Sequence, residues 1–563
     1  MRQTVSHSMK FLPAAMLACA LAVWPMGASP LAGAAAVTGD VANGQQGDGT
    51  MSGAAATAMT HGALPANVAD VAAKAAANRA YDAAMKRNPQ APLAAAEREA
   101  IGGSNNTSPH APAILTSMGG RSDATSTPPD TTGAAGITRY VQLVNRRFGI
   151  IDRSTNTLLS SGTLNGLAGF GSAVNSFDPQ IIWDPTTRRF YYAMDSVLSS
   201  TDNRIAFGFS KSTSPNTASD WCKYFISNYG AEFPDFPKLG DNRHFIHMGV
   251  NVYNSSSIFL RSDLIAMPKP IGTGAITTCP TFPALENGRS RIFQDLRDTG
   301  NNKVFSPTPA NGIDTINYGY AVARNLAVPA TKLWIIPFTG PSTGLPVKLA
   351  TRGVTISSTP IPPDATQPTF TQRLDTSDTR LTQAVLAKNP QRSNALSLWT
   401  QQTIANGSTG SKIQYYEIRP NLASPIVLRS GTLATPTPGD FLFNAAISPD
   451  RRVDGTTIAN GGSFVIGYSV SSPSINPRIV MASSVNGAAV TVNVVKNGSG
   501  PYRDFSCANS GETCRWGDYS GAAPDPRPVG STRAVALTNQ FSPGGTMPVT
   551  QANWRTWIWF AAP

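Results

Sequence analysis

The sequence has few of the residues on which common enzyme chemistries depend. Only five of its 563 residues are histidine, and only 14% are charged. It contains no H-E-x-x-H, no G-x-S-x-G and no phosphate-binding glycine loop. The scarcity of histidine disfavours histidine-based zinc sites and Ser-His-Asp catalysis. Low charge together with 49 glycines and 44 prolines disfavours long helices and favours short strands joined by turns.

Long runs of positive charge are also missing, although the formal net charge is +12. The densest basic features are pairs such as Arg146-Arg147 and Arg451-Arg452. A scattered basic balance is typical of a solvated surface rather than of a nucleic-acid reader. The sequence therefore predicts no dedicated nucleic-acid binding.

The first 36 residues have the pattern of an export signal. Arg2 and Lys10 precede an apolar stretch from Phe11 to Trp24, which is too short to span a bilayer comfortably, and small residues of the A-x-A type follow. We predict a signal peptide over residues 1–36, a secreted or periplasmic location, and no membrane span after the signal is removed.

Four cysteines remain beyond that signal. An even number in an exported protein indicates two disulfides, because that compartment allows them to persist. Cys507 and Cys514 share a short Ser/Asn/Gly-rich loop in which a local bridge is easy, which leaves Cys222 to pair with Cys279. A zinc site is the competing interpretation, but there is no C-x-x-C pair. Disulfides are favoured.

Residues 37–136 have low complexity. Residues 37–62 contain almost no large apolar side chain, which predicts disorder. Residues 64–101 are Ala-rich and favour a weak, surface-lying helix or part of a pro-segment. Residues 102–136 are rich in Ser, Thr, Pro and Gly and are predicted to be a linker.

From residue 137 to residue 563 the pattern changes to short apolar or alternating segments. Examples are YVQLV, RFYYAMD, RIAFGFS, KLWIIPF and SFVIGYS, separated by Gly, Pro and Asn turns. Period-two patterning with β-branched and aromatic residues indicates strands. About twenty such strands without intervening helices predict an all-β array of sheets.

A loose repeat favours a β-propeller of six or seven blades. An aspartate introduces several strands, with a second aspartate often following at Asp184, Asp241, Asp450 or Asp525. The spacing of the introducing aspartates suits four-stranded blades. The strands from Thr138 to Leu164 are expected to form a seventh blade or to complete the last one. The five strand-entry aspartates are Asp178, Asp235, Asp378, Asp440 and Asp518.

Several segments carry a resemblance to a known family. FDPQIIWDPTTRRFYYAMD, FPDFPKLGDNRHFIHMGVN and RWGDYSGAAPDP resemble exported, largely uncharacterised propellers of the sialidase-like (neuraminidase-like) superfamily. Ser214–Trp221 also resembles a degenerate Asp-box, which in sialidases is a fold element outside the active site. No F-R-I-P element is present, and no nucleophile pair is assignable. The resemblance therefore implies a fold and an exported location, and it does not imply sialidase activity.

In a propeller, the strand-entry aspartates of different blades converge at the mouth of the central channel. Two uses follow: paired carboxylates for glycoside hydrolysis, or oxygen ligands for Ca²⁺. The alternative is that each aspartate caps its own turn. In the loop of Trp516, Asp518 and Tyr519, a ring could stack on a sugar while the carboxylate binds hydroxyls. The candidate ligand-binding residues are Asp178, Asp235, Asp378, Arg380, Asp440, Trp516, Asp518 and Tyr519.

Three functional hypotheses follow from this sequence. The first is a propeller that binds glycans or cell-surface polymers at the channel mouth, and it is preferred because no catalytic pair is assignable. The second is a glycoside hydrolase or polysaccharide lyase that uses the channel-mouth carboxylates. The third is a structural scaffold stabilised by Ca²⁺.

Overall fold

The computed structural model describes residues 111–171, 174–270, 272–281, 289–312, 317–326, 329–435, 437–453, 461–527, 533–545 and 549–563. The predicted signal peptide, the predicted disordered stretch and the Ala-rich segment lie outside these residues. The regular secondary structure of the described residues is nearly all β and has a β-propeller arrangement, as the sequence predicts.

The strands of the described residues group into seven four-stranded sheets, in each of which sequence neighbours pair antiparallel. Sheets 1 to 3 contain β2 (Thr132–Ala135), β3 (Arg139–Val144), β4 (Arg147–Asp152), β5 (Thr157–Thr163); β6 (Asn175–Asp184), β7 (Arg189–Ser199), β8 (Asp202–Ser210), β9 (Trp221–Gly230); and β10 (Phe233–Asp241), β11 (Phe245–Tyr253), β12 (Phe259–Pro268), β13 (Arg291–Phe293).

Sheets 4 to 6 contain β14 (Val304–Asn311), β15 (Tyr318–Asn325), β16 (Ala330–Thr339), β17 (Arg352–Thr359); β19 (Ala384–Asn389), β20 (Ala395–Ala405), β21 (Ser411–Arg419), β22 (Ile426–Leu433); and β23 (Phe441–Pro449), β24 (Phe464–Ser472), β25 (Ile475–Ser484), β26 (Thr491–Lys496). Short parallel pairings, β14 with β19 and β21 with β23, join these three sheets edge to edge.

Sheet 7 contains β28 (Gly521–Pro524), β29 (Val535–Phe541), β30 (Arg555–Ala562) and, as its outer strand, β1 (Ala113–Gly119). The N-terminal strand thus completes the last sheet, while β2 to β5 form a sheet of their own. Both β1 and β2 lie within residues 102–136, so the propeller begins earlier than residue 137. Their Ser, Thr, Gly and Ala content resembles that of a linker, but β2 (Thr-Gly-Ala-Ala) is fully buried, and small side chains suit such a crowded position.

The remaining elements are short. A two-stranded parallel sheet joins β18 (Arg373–Leu374) to β27 (Thr513–Cys514). Helix α1 (Leu164–Ala168) begins at Thr163, whose hydroxyl accepts from the Gly166 amide, and ends at Gly169, where a φ of 82° favours glycine. Two 3₁₀ turns cover Ala218–Asp220 and Pro390–Arg392. None of the helices in the described part of the chain is long and apolar enough to cross a lipid bilayer.

The first strands of the seven sheets contact one another in a closed ring, in the order β2, β6, β10, β14, β19, β23, β28 and back to β2. Apolar side chains fill the spaces between successive sheets; Tyr191 and Phe207 of sheet 2, for example, pack in one cluster with Met248 and Ile265 of sheet 3. Closure and this inter-sheet packing hold the first strands around a common axis.

Both predicted disulfides are present. Cys222 in β9 is bonded to Cys279, and Cys507 is bonded to Cys514 across a separation of seven residues. The second bridge lies in a core cluster with Trp516 and Tyr502.

Candidate functional site

A recurring distortion shapes the start of the first strands. Strands β6, β10, β14 and β23 each contain a β-bulge, in which two residues of the strand lie opposite one residue of its partner. A residue with positive φ lies in each bulge: Asp178 (51°), Phe236 (57°), Ser306 (51°) and Asn444 (49°). Backbone of this kind is strained for residues other than glycine and turns a side chain out of the regular alternation. The bulges therefore position side chains at one end of the ring.

Five carboxylates meet at that end, and we refer to Asp130, Asp178, Asp195, Asp235 and Asp518 as the carboxylate cluster. Oxygens of Asp130, Asp178 and Asp518 lie within 4.8 Å of one another, and so do oxygens of Asp178, Asp195 and Asp235. Asp178 belongs to both groups. All five are buried except Asp518, whose side chain is 15% exposed.

The surrounding hydrogen bonds hold two members of the cluster in place. Asn145 donates its amide Nδ2–H to Asp130 Oδ2 at 2.6 Å, and the backbone N–H of Asp518 donates to Asp130 Oδ1 at 2.7 Å. Asp518 in turn pairs with Arg515 at 2.6 Å. Asn145 also accepts from the backbone N–H of Asp178 at 2.8 Å. The carboxylate of Asp178, by contrast, accepts no hydrogen bond from the residues that the structure describes, although its side chain is more than nine-tenths buried.

Lys238 is a buried cation that interacts with Asp178, Asp130 and Asp518. Its ammonium lies 3.5 Å from the ring centroids of both Phe236 and Tyr519, and its Nζ donates to the Pro237 carbonyl at 3.3 Å. Tyr519 donates its hydroxyl to the carbonyl of Pro179 at 3.0 Å. The two rings hold the ammonium of the buried Lys238 by cation–π attraction.

Burial and repulsion between like charges shift the titration of the cluster. Burial, reinforced by Asp518, raises the pKa of Asp130 to about 7. Burial also raises the pKa of Asp235 to about 6, against the attraction of Arg380. Burial and the neighbouring carboxylates raise the pKa of Asp178 well above its usual range. Burial lowers the pKa of Lys238 to about 7, against the pull of those acids.

Asp378 and Arg380 form a separate pair beside the cluster. The Arg380 guanidinium donates to both Asp378 oxygens at 2.8 and 2.9 Å, and Arg324 adds a second cation at 3.4 Å. Although burial opposes it, these two guanidinium groups lower the pKa of Asp378 well below its usual range. Arg380 also covers the Phe236 ring at 4.6 Å. The Asp378–Arg380 ion pair is therefore held in place beside the carboxylate cluster.

The structure therefore brings together Asp178, Asp235, Asp518 and Tyr519, with Asp378 and Arg380 adjacent. It does not bring Asp440 to them, since that residue lies before β23, where its backbone bonds to Ser411 and Thr437. Trp516 is fully buried among Phe443, Tyr502 and the second disulfide, and its indole donates to Ser469 at 3.0 Å. A ring in that core has no open face for a sugar.

Sequence reasoning did not identify Asp130, Asp195, Lys238 and Arg515 as members of the site. Asp130 follows two prolines in the predicted linker, and Asp195 lies at the end of a strand-like segment with no turn signal. Lys238 follows Phe236-Pro237, just as a glutamine follows Asp178-Pro179 in the preceding sheet. That repeated proline is the one signal from which Lys238 could have been identified.

The first strands also line a cavity of about 30 Å³, which has room for about two water molecules. Lys238, Gln180, Thr308 and Gln383 are among its lining residues. The Gln383 amide donates to the carbonyl of Ala522 and accepts from its N–H, thereby joining β28 to the start of β19 past the intervening β23. The hydrogen bonds of the Gln383 side chain therefore connect two of the first strands that line this cavity.

No protein-family model matches the chain, and no curated protein matches it. Matching solved structures include a subtype N10 neuraminidase-like protein of A/little yellow-shouldered bat/Guatemala/060/2010, with 10% identity, 66% of this chain and 99% of that chain covered, and a TM-score of 0.34. A Synechocystis apocarotenoid oxygenase mutant (Glu150Asp) matches with 11% identity, 66% and 72% coverage, and a TM-score of 0.35. The WD40 domain of SCAP from fission yeast matches with 9% identity, 75% and 82% coverage, and a TM-score of 0.29. Scores this low carry no argument about function.

Proposed function

We propose that this protein is an exported ligand-binding propeller, and that the carboxylate cluster at the channel mouth binds a neutral or positively charged, hydroxyl- or amine-bearing glycan. The observation that carries the proposal is the Asp178 carboxylate, which is buried between both groups of acids without a hydrogen-bond donor among the described residues. The Asp178 oxygens are not completely enclosed, so a ligand can reach them. A hydroxyl or ammonium group of a ligand supplies the kind of donor that this position lacks.

Charge restricts the class of ligand. Five carboxylates of the cluster are accompanied by Lys238 and by Arg515, while Arg380 is engaged by Asp378. Arg261 is paired with Glu232 and Asp263. Carboxyl groups outnumber cations in the cluster: the ionised ones repel an anionic sugar, and the protonated ones offer it no positive charge. The arrangement therefore favours neutral and amino sugars over sialic acids.

A glycan panel of neutral, amino-bearing and sialylated oligosaccharides tests the proposal. Wild type is expected to bind members of the first two classes, and Asp178→Asn is expected to weaken that binding about tenfold or more, because the substitution replaces one acceptor oxygen of the carboxyl group with an N–H donor. Asp440→Asn, which changes an aspartate outside the cluster, is the matched control and is expected to leave binding unchanged. Binding confined to sialylated glycans, or equal binding by both variants, contradicts the proposal. Release of product from any glycan would instead identify a hydrolase or lyase.

A second candidate function is a scaffold stabilised by Ca²⁺ at the same cluster. Carboxylate oxygens that lie within 4.8 Å of one another fit the hard-oxygen coordination of that ion, whose ligands lie at about 2.3–2.6 Å from the metal. Asp130, Asp178 and Asp518 would hold the ion, with water completing its coordination. Burial raises the pKa values of Asp130 and Asp178, and repulsion between neighbouring carboxylates adds to this; the charge of the ion would offset that repulsion.

Thermal unfolding in EDTA and in millimolar Ca²⁺ separates the two functions. If the cluster binds Ca²⁺, the ion raises the melting temperature of wild type and of Asp440→Asn but not that of Asp178→Asn, because only binding to the folded state stabilises it. The absence of any shift in wild type rejects the calcium scaffold and leaves the glycan proposal to its own test.

A further inference from the structure

The loops at the end of the ring opposite the carboxylate cluster form a second face of the propeller. Because the strands of each sheet alternate in direction, the connections from first to second strand and from third to fourth strand all lie at that end. We call these connections the basal loops. They are residues 136–138, 153–156, 185–188, 211–220, 242–244, 269–290, 312–317, 340–351, 390–394, 420–425, 450–463, 485–490 and 525–534.

Side-chain contacts join the basal loops of different sheets. Lys269, in a basal loop of sheet 3, pairs with Asp184 at the end of β6 in sheet 2 at 3.0 Å. Arg451, in a basal loop of sheet 6, donates to the carbonyl of Asn311 at the end of β14 at 3.0 Å and to that of Leu386 in β19 at 2.8 Å. The loops of distant sheets therefore belong to one face, which we call the basal face.

Positive charge is concentrated in the basal loops. By sequence they contain twelve Lys and Arg and six Asp and Glu, whereas the connections at the opposite end contain eight Lys and Arg and twelve Asp and Glu. Among the described residues of the basal loops, only the acids Asp220 and Asp450 are not buried. The described cations of these loops that are not buried belong to sheets 2 to 7 and are Arg188, Lys211, Arg243, Arg289, Lys348, Arg392, Arg452, Arg527 and Arg533.

The cations of the basal face are close enough to act on one another. Burial lowers the pKa of His244, and the charges of Arg243, Arg289 and Lys269 lower it further. Arg188 and Arg243 are exposed, and their side chains form no hydrogen bond or ion pair with the described residues. Positive charges that reinforce one another in this way attract an extended anionic partner.

Exposed apolar side chains accompany these cations. Ile137 and Val347, both in basal loops, are 42% and 38% exposed. Cations together with exposed apolar side chains are the combination by which proteins lie on anionic membranes. The cations are also spread over six sheets rather than aligned along one groove, as a linear polymer would require. Lipid headgroups move laterally and gather beneath scattered cations, so this distribution favours a bilayer surface.

We propose that the basal face binds the surface of a lipid bilayer that contains anionic lipids. Bound in this way, the protein turns its carboxylate cluster away from the membrane. The inference does not rest on the proposed glycan or calcium site, because that site lies at the opposite end of the first strands.

Binding of the full chain to lipid vesicles tests the proposal. Vesicles of phosphatidylcholine are compared with vesicles that also contain about 30% phosphatidylglycerol, a composition with a negative surface potential. Neutral vesicles measure any binding that does not depend on charge, including that of the apolar stretch from Phe11 to Trp24. Wild type is expected to bind the anionic vesicles at least about tenfold more tightly than the neutral ones, and about 0.5 M NaCl is expected to abolish this preference.

The basal variant Arg188→Gln/Lys211→Gln/Arg243→Gln is expected to lose most of the preference for anionic vesicles, because it removes three charges from the basal face.

The matched control Arg146→Gln/Arg373→Gln/Arg503→Gln removes the same charge from the connections at the opposite end and is expected to retain that preference. Equal losses in both variants would mean that only net charge matters, and they overturn the proposal. Binding to heparin without binding to anionic vesicles also overturns it and identifies an anionic polymer as the partner.

The orientation on the membrane supplies a measurement on the otherwise unaltered chain. An environment-sensitive fluorescent amino acid replaces either Ile137, in a basal loop, or Ile258, which is 60% exposed in a connection at the opposite end. Anionic vesicles are expected to shift the emission to shorter wavelength at position 137 and to leave it unchanged at position 258. A shift at position 258, or at neither position, contradicts binding through the basal face.

Discussion

At the scale of single residues, the surroundings of Asp178 disfavour the charged form of its carboxyl group. It is buried, it lies near four other carboxylates, and its pKa is raised. A raised pKa in the folded state means that the folded protein binds more protons than the unfolded chain once the pH exceeds about 4, the value for an unfolded aspartate. The contribution of Asp178 to stability is therefore complete at low pH and is lost as the pH rises through its folded pKa.

Asp178→Asn is expected to be more stable than wild type at pH 7 in EDTA by about 1–3 kcal/mol, because on folding wild type must either bury the Asp178 charge or take up a proton, and asparagine does neither. Asparagine also tolerates the positive φ at this position. At pH 4, where the wild-type carboxyl is protonated, the two proteins are expected to agree. Urea unfolding from pH 4 to pH 8 measures the difference, and a gain that does not change with pH argues against the charge explanation.

At the scale of elements, the bulges explain why sequence reasoning recovered part of the site. Aspartate before proline correctly marked strand entry at Asp178, but the register places Phe236, not Asp235, at the equivalent bulge position. The carboxylates of Asp178 and Asp235 both reach the cluster although they occupy different positions relative to the bulge, because successive side chains at a bulge do not follow the regular alternation of a strand. Ser306 and Asn444 occupy the same position in their strands without an acid. The alternation of inward and outward side chains along a strand can be predicted from the local sequence. The convergence of Asp130 and Asp195 cannot, because it depends on ring closure between distant segments.

Ser306 provides a test of the bulge itself. Its φ is 51°, and its hydroxyl and backbone N–H both contact the Asn251 side chain. Ser306→Ala and Ser306→Gly lose the same hydroxyl, so their difference isolates the backbone conformation. The glycine variant is expected to be more stable than the alanine variant by about 1 kcal/mol, since only alanine carries a Cβ at positive φ. Chemical denaturation of the two proteins decides, and a more stable alanine variant would mean that the bulge is relaxed.

At the scale of the whole molecule, the ring is held shut where its two ends meet. Strand β1 pairs with β30 to complete sheet 7, and Arg153, immediately after β4 of sheet 1, reaches Asp525, immediately after β28 of sheet 7, at 2.5 Å. Arg153 also donates to the Gly136 carbonyl and covers the Phe560 ring of β30 at 4.6 Å. Both charged side chains are almost completely buried. This ion pair joins the first sheet to the last.

Removing one charge of that pair is expected to cost more than removing both. Asp525→Asn preserves the shape but leaves the Arg153 guanidinium buried without its counter-charge, and a loss of about 3 kcal/mol is expected. The double variant Arg153→Met/Asp525→Asn also removes the unpaired guanidinium charge, and it is expected to recover a large part of that loss of stability. Thermal and urea unfolding of wild type, both single variants and the double variant give the coupling energy directly. Additive losses would show that the pair does not act across the closure, and that β1 and the packing of sheets 7 and 1 hold the ring without it.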